Sequence, residues 1–335
     1  MIEIKEINDK TFWHNSLGEF EDANIYQTWN FAALAQNEKI VKHIAIYANQ
    51  NLIGLVQVRI RTAPILNRGI AYIFNGPVWQ RKNQENSIEI LSDIFSALRQ
   101  RFVVNQKLLL RIKPFIFSDN NLCIYSIKEK KFNIIKRIPL YRTLVLHINS
   151  ELEEIRKTFK PRWRNYLSQA EKNNLKVISG SSTELFNIFI EIYDQMIERK
   201  EFKQFVSVKG MNKMNKELDE ELKLRIFIVY QDDIPLSGLV GTAIGDTAVY
   251  LLGASNKGGM KLRSSYLAQW EMIKWAKNMG CKRYDLGGID SKKNPGGYKF
   301  KLGVSKDEVT GVGTYETYNS WLSKIIVGFG EFIKR

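Results

Sequence analysis

Apolar and polar positions along the chain spell out one series of elements twice. Ala45-Ile46-Tyr47 is an apolar run, Asn49-Gln50-Asn51 supplies turn residues, and a second run opens at Gly54-Leu55-Val56. The second half repeats this: Ile226-Phe227-Ile228-Val229-Tyr230 leads through Gln231-Asp232-Asp233 to Ser237-Gly238-Leu239-Val240. A further strand follows in each half, Ala71-Tyr72-Ile73-Phe74 and Ala248-Val249-Tyr250-Leu251-Leu252. Next comes a helix. Ile88, Leu91, Ile94, Phe95 and Leu98 recur at helical spacing after a capping candidate, Ser87; Leu267, Trp270, Ile273 and Lys277 do so after Ser264 or Ser265. Each helix runs into another strand, Lys107 to Ile112 in one half and Cys281 to Leu286 in the other, the latter entered through Gly280, which suits a helix C-terminus. Strand, turn, strand, strand, helix, strand in both halves predicts a duplicated α/β unit.

Between the copies, Tyr141 to Ile148 alternates as a strand, and Ser150 with Glu153 forms a capping box that opens a basic helix. Arg156, Lys160 and Arg164 fall at four-residue intervals and so share a face, with Lys157 and Arg162 nearby, while Pro161 bends or restarts the helix. Thr183 to Lys200 predicts a second helix whose stripe of Leu185, Phe186, Phe189, Ile192, Tyr193 and Met196 reads as ordinary core. The expected domains are residues 1–148 with 316–335, and residues 149–315.

At 335 residues, two domains are the default expectation. Hydrophobic residues at 44% and charged residues at 25% are ordinary for a globular chain. Charge is the anomaly: 50 Lys and Arg against 35 Asp and Glu leave a net +15. That balance favours a polyanionic partner such as RNA, a phosphorylated substrate or an acidic membrane surface, although Lys residues spread along the chain also fit a plain solvated surface. Cys123 and Cys281 lie in different halves without metal-ligand spacing, so neither a disulfide framework nor a metal site is expected. Met1-Ile2-Glu3-Ile4-Lys5-Glu6 lacks the basic and apolar regions of a signal peptide. The expected location is therefore the cytoplasm, with contact at the inner face of the membrane left open.

Candidate chemistry gathers late in the chain. Arg283-Tyr284-Asp285-Leu286-Gly287-Gly288-Ile289-Asp290 ends a strand in two glycines, where backbone can turn sharply or approach a ligand. Asn294-Pro295-Gly296-Gly297 reads as a mobile loop, and Tyr298-Lys299-Phe300-Lys301-Leu302-Gly303 places Lys299 and Lys301 on one face of a strand or turn. A lysine beside a Gly-rich loop suits phosphate binding or oxyanion stabilisation; a solvated hairpin is the alternative. His14, His43 and His147 neighbour no Ser or Cys in a nucleophile elbow and read as structural or surface residues. Walker, strand-linked GxGxxG and HExxH motifs are absent. What remains is a transferase acting on an already activated acyl donor, since aminolysis of an ester or thioester needs mainly positioning, amine deprotonation and oxyanion stabilisation.

Gly253-Ala254-Ser255, Leu267-Ala268-Gln269-Trp270-Glu271-Met272-Ile273-Lys274-Trp275-Ala276, Tyr284-Asp285-Leu286-Gly287-Gly288-Ile289 and Phe300-Lys301 together resemble the Fem family of peptidoglycan-bridge aminoacyltransferases. Trp29 with Phe31-Ala32, Gly76-Pro77-Val78 and Arg164-Asn165 extend the resemblance over nearly the whole chain. It implies two tandem GNAT-like acyltransferase domains of α/β class with mixed sheets. It also implies transfer of an aminoacyl group from aminoacyl-tRNA to an amine of a cell-wall precursor, without a metal, cofactor or covalent intermediate. Lys301 matches the lysine of the family's Phe-Lys motif, implying stabilisation of the tetrahedral intermediate or of the tRNA end. Asp285 orients that site or merely terminates its strand, the structural role being favoured. Tyr250, Gly287, Gly288, Lys299 and Phe300 become candidate substrate-binding residues, and Arg156, Lys160, Arg162 and Arg164 candidate phosphate contacts to tRNA.

Two departures stand out. Leu185 to Arg225 is too short for the helical-hairpin arm of some members, so an armless type is expected. After Trp29, Ala32-Ala33-Leu34-Ala35-Gln36 offers no phosphate-binding lysine, so the acceptor need not be a nucleotide-linked muropeptide. An acyl-CoA-dependent transferase acting on a surface-polysaccharide amino sugar is the alternative, supported by the basic, Gly-containing turn Gly258-Gly259-Met260-Lys261-Leu262-Arg263. A non-enzymatic RNA- or membrane-binding protein is the third reading. Its support is the tail from Tyr318 to Arg335, where Trp321, Ile325, Phe329 and Phe332 form a stripe with Lys324, Lys334 and Arg335 beside it; packing of that helix on the first domain is preferred. A monomer is the default.

Overall fold

A computed structural model describes residues 2–31, 34, 40–63, 66, 68–118, 121–200 and 207–333. Ala32, Ala33, Ala35 and Gln36, and the tail residues Lys334 and Arg335, lie outside the described residues. In chain order the elements are β1 (Ile2–Ile7), α1 (Lys10–Leu17), β2 (Val41–Ala48), β3 (Asn51–Ala63), β4 (Arg68–Phe74), α2 (Ile88–Arg99), β5 (Leu109–Lys113), α3 (Asn121–Glu129) and β6 (Asn133–Ile134). Then follow β7 (Arg142–His147), α4 (Leu152–Thr158), α5 (Pro161–Lys172), β8 (Lys176–Gly180), α6 (Thr183–Lys200), α7 (Val208–Glu217), β9 (Arg225–Gln231), β10 (Ile234–Ile244) and β11 (Thr247–Ser255). The last are α8 (Lys257–Lys261), α9 (Ser264–Asn278), β12 (Arg283–Asp285), α10 (Pro295–Leu302), β13 (Glu308–Thr310), β14 (Tyr315–Thr317) and α11 (Trp321–Ile333).

Two compact units result, Met1–Tyr141 with Val309–Arg335, and Arg142–Glu308. Each is built on a seven-stranded mixed sheet, in the orders β1-β2-β3-β4-β5-β14-β6 and β13-β7-β12-β11-β10-β9-β8. The fold is a tandem of two α/β units with mixed sheets. In each, antiparallel strands are joined by a tight turn, then a helix carries the chain to a strand parallel to the last one: β4 to β5 through α2, and β11 to β12 through α9. The duplicated order of elements is thus observed directly.

The boundaries differ from the expected 148/149 and 315/316. Tyr141 to Ile148 does hold a strand, but β7 lies in the second sheet, antiparallel to β12 with Leu146 opposite Tyr284. β14 returns the favour, pairing with β5 of the first sheet, Tyr315 opposite Ile112. Each sheet is therefore completed by a strand from outside its own repeat. Partner choice here is a matter of long-range pairing, which local alternation does not encode.

Ile44, Val56, Ile73, Phe95, Leu98 and Ile112 fill the first core; Leu146, Phe227, Trp270, Ile273 and Tyr284 fill the second. Burying each such side chain contributes roughly 1.5–3 kcal/mol before conformational entropy is subtracted. α9 presents Leu267, Trp270 and Ile273 to its sheet and stops where Gly280, at φ 81°, reverses the chain. Gly280 N–H then reaches Lys277 O and Cys281 N–H reaches Ala276 O, closing the helix in a Schellman turn. Cys123 and Cys281 are free and buried.

Candidate active site

β11 and β12 run parallel and in register for three pairs, Thr247–Arg283, Ala248–Tyr284 and Val249–Asp285. Past that point they keep different company. Tyr250 to Ser255 stay with β10, with a bulge that leaves Leu251 unmatched, whereas Leu286 N–H donates to Leu144 O (2.9 Å) and Ile289 N–H to Arg142 O (2.9 Å), both of β7. The sheet opens where these paths part, beside Gly287.

Gly287 is required there on two counts. Its φ of 74° is strained for any residue with a Cβ, and a Cβ would lie 2.6 Å from Tyr250 O. The turn is secured from below by Asp285, fully buried, which accepts from the Gly287 N–H (2.8 Å) and from the Thr143 hydroxyl. Asp285 therefore shapes the floor beneath the turn, in keeping with the structural role favoured for it.

Lys301 enters from α10. Asn294 caps that helix by accepting from Gly297 N–H (3.0 Å) and Pro295 occupies its first turn, so the expected mobile loop is a helix N-terminus. This also corrects Lys299 and Lys301: two residues apart on a helix, they point to different sides, and Lys299 is exposed while Lys301 turns inward. Lys301 Nζ donates to Gly287 O (3.2 Å) and Gly288 O (2.9 Å) and stands 5.1 Å from the centroid of the Tyr250 ring. An ammonium has three N–H donors, so one remains for a ligand. Burial lowers the Lys301 pKa from 10.5 to about 8, the negative charge of Asp285 partly opposing the shift. Burial likewise pushes the Tyr250 phenol up to about 12, so it stays protonated; its oxygen lies where a Cβ on residue 253 would sit, which accounts for Gly253.

An aromatic series leads away from Lys301. Phe300 packs on Tyr266 (5.0 Å between centroids) and on Trp163 (5.9 Å), and Tyr266 packs on Tyr166 (5.2 Å). Arg162 and Arg263 lie over the Tyr166 ring at 5.3 and 4.3 Å. The four expected phosphate contacts divide on this geometry. Residues 152–158 and 161–172 are separate helices, Pro161 restarting the second, so Arg156, Lys160 and Arg164 do not share a helix face. Arg156 pairs with Glu171 (2.6 Å) and Arg164 donates to Lys157 O (2.6 Å) and Phe159 O (3.0 Å), joining α4 to α5. Lys160 caps α5 through its backbone, leaving exposed Arg162 beside the half-buried Tyr166 ring. The capping box is also absent: Glu151, without a side-chain bond, precedes α4. Nor does Ser264 or Ser265 cap α9, a place taken by Arg263 at φ 61°.

The turn at Gly258 to Arg263, which supported CoA binding, is largely α8. Gly259 N–H is taken by Asn256 Oδ1 (2.9 Å), Met260 N–H by Asn256 O (3.1 Å) and Leu262 N–H by Gly258 O (3.0 Å), so these amides do not face a pyrophosphate. A Cβ on Gly259 would meet Leu236 O at 2.4 Å, which makes that glycine a packing requirement. His43 is structural, stacked on Trp29 at 3.6 Å and held neutral by burial, its pKa lowered to about 3, whereas His147 lies at the surface beside Asp307. No group of His, Cys, Asp or Glu among the described residues is arranged to hold a metal.

The family model described as FemAB family matches residues 208–319, which contain β11, the Gly287 turn and Lys301. The match takes in about a third of the chain and includes the candidate site. Among curated proteins, a lipid II:glycine glycyltransferase of Staphylococcus haemolyticus is 32% identical over 130 residues, covering 36% of this chain and 27% of that protein. A UDP-N-acetylmuramoylpentapeptide-lysine N(6)-alanyltransferase of Weissella viridescens is 28% identical over 137 residues, covering 41% and 40%. The matched segments thus span less than half of either relative. The crystal structure of FemX superposes over 97% of this chain and 99% of its own, with a TM-score of 0.81 at 17% identity. The tandem fold is therefore the FemX fold, and the matched segment 208–319 contains the point where the second sheet opens.

Proposed function

We propose that the chain is an aminoacyltransferase that moves an aminoacyl group from aminoacyl-tRNA to an amine of a peptidoglycan precursor. The FemAB segment and the two relatives, named for glycyl and alanyl transfer to lipid II and to a nucleotide-linked muropeptide, support that class. The observation that carries it is Lys301, held on Gly287 O and Gly288 O at the opening of a sheet with an N–H to spare.

In this reading the acceptor amine attacks the ester carbonyl carbon, a C–N bond forms, and the C–O bond to the ribose breaks. The amine's proton ends on the departing ribose oxygen. Charge collects on the carbonyl oxygen between these events, and the Lys301 ammonium faces it. The ester is activated beforehand, so the reaction as written draws on no further cofactor. The ring series Phe300, Tyr266, Tyr166 with Arg162 and Arg263 offers stacking surface and positive charge for the 3′ end of an RNA. Such a donor and acceptor meet in the cytoplasm; among the described residues no helix is long and apolar enough to cross a membrane.

The test is transfer of a radiolabelled amino acid from a mixed aminoacyl-tRNA pool to UDP-linked and lipid-linked muropeptides. Transfer that depends on Lys301 and stops when the tRNA is deacylated is expected. Labelling of neither acceptor by the folded protein would overturn the reading.

A further inference from the structure

α11 has two apolar faces, and the fold uses one. Inward, Ser323 donates to Lys107 O (2.7 Å), Val327 is buried, and Glu331 is held by Arg111 and by Arg137 (2.6 Å). Outward stand Trp321, Ile325 and Phe329, at four-residue spacing and 71%, 54% and 65% exposed, flanked by Leu322 at 37%. Single exposed apolar residues are normal, but four on one short helix form a patch that calls for an occupant. Gly328 and Gly330 are exposed on the same helix, with open space where a Cβ would go.

The charge around this patch is positive. Lys324 lies on its flank, half-exposed, 3.0 Å from the Tyr318 hydroxyl and 3.6 Å from a Glu316 carboxylate that Arg111 also holds, and half-exposed Arg137 reaches the helix at Glu331. Glu331, the acidic residue of the helix, is neutralised by its two arginines. We infer that the outer face of α11 docks on an anionic lipid surface, lying in the interface plane with Trp321, Ile325 and Phe329 in the headgroup–acyl boundary and Lys324 and Arg137 toward lipid phosphates. Indole and phenyl rings flanked by cations suit that boundary. A second copy of the chain suits it less well, because each copy brings a net charge of +15 to the contact. The inference stands apart from acyl transfer, since none of these side chains belongs to the Lys301 site.

Sedimentation of the full chain with vesicles tests it, using equal parts phosphatidylglycerol and phosphatidylcholine against phosphatidylcholine alone. Binding to the anionic vesicles is expected to weaken by about tenfold or more in a Trp321→Ser, Phe329→Ser double variant. Lys324→Glu should weaken it less, and added salt should weaken it further. Because the substituted side chains are exposed, the double variant should keep the wild-type far-ultraviolet circular dichroism and thermal midpoint. Absence of wild-type binding to anionic vesicles would overturn the inference, as would equal binding by a folded double variant or equal binding to neutral vesicles. So would a dimer in ultracentrifugation that the double variant dissolves and lipid leaves unchanged.

Discussion

The parallel strand pairs of the two units differ in how long they stay together. β4 and β5 hold register for five pairs, from Ile70–Leu109 to Phe74–Lys113, and Asn75 N–H extends the contact by donating to Lys113 O at 2.7 Å. β11 and β12 hold it for three. The β3–β4 pairing carries no bulge, whereas β10–β11 is bulged at Leu251, beside Tyr250. Each unit also carries a bulge one pairing earlier, between β2 and β3 in the first and between β9 and β10 in the second, so irregularity as such does not distinguish them. What distinguishes them is where pairing is given up: the second unit releases the carbonyls of Gly287 and Gly288, and Lys301 takes them. One copy of the unit keeps its parallel strands together for five pairs, and its sister parts them after three and seats a lysine there.

The sharpest way to break this contrast is Lys301→Ala. Transfer should fall about 10²- to 10³-fold, the usual loss when an oxyanion donor is removed, with the thermal midpoint unchanged. Gly287→Ala should come next. It combines a positive φ with a 2.6 Å approach to Tyr250 O, so a loss of roughly 2–3 kcal/mol in chemical denaturation is expected, together with reduced transfer. Gly280→Ala is the control: its φ is 81° but nothing lies within 4 Å of the added methyl, so about 1 kcal/mol is expected and transfer should persist.

A pH series sharpens the contrast further. Lys301 is charged below about 8 and loses its proton as pH rises through that value, so transfer should decline above it by up to about tenfold per pH unit. Lys301→Arg should lack that decline, because a guanidinium remains charged. In Asp285→Asn the nearby negative charge is gone; the falling limb should move to lower pH, and a profile unchanged from wild type would remove Asp285 from any part in holding Lys301 charged.

The duplicated order of elements was legible because each strand and helix announces itself by local periodicity, as in Ile226 to Tyr230 or Leu267 to Ile273. The seat was legible only in part. Gly287, Gly288 and Lys301 could be named from motif and residue type, yet their joining depends on α10, and Asn294-Pro295 was read for its glycines rather than as the cap and first turn it forms. The sheet to which Tyr141 to Ile148 belongs had no local signal, since a strand's partner is fixed by residues far along the chain. Spacing alone groups Arg156 with Arg164, whereas the break at Pro161 makes them braces between two helices.

The exchange of β7 and β14 bears on the order in which the molecule can be finished during synthesis. The second sheet is complete once Thr310 has emerged, being built from residues 142–310, whereas the first must wait for Tyr315–Thr317 before β5 and β6 gain the strand between them. The earlier-made half is thus the later to close. A chain released after Thr310 should accordingly protect residues 142–308 from limited proteolysis while leaving β5 and β6 open to cleavage, and equal protection of both halves would show that β14 is dispensable to the first.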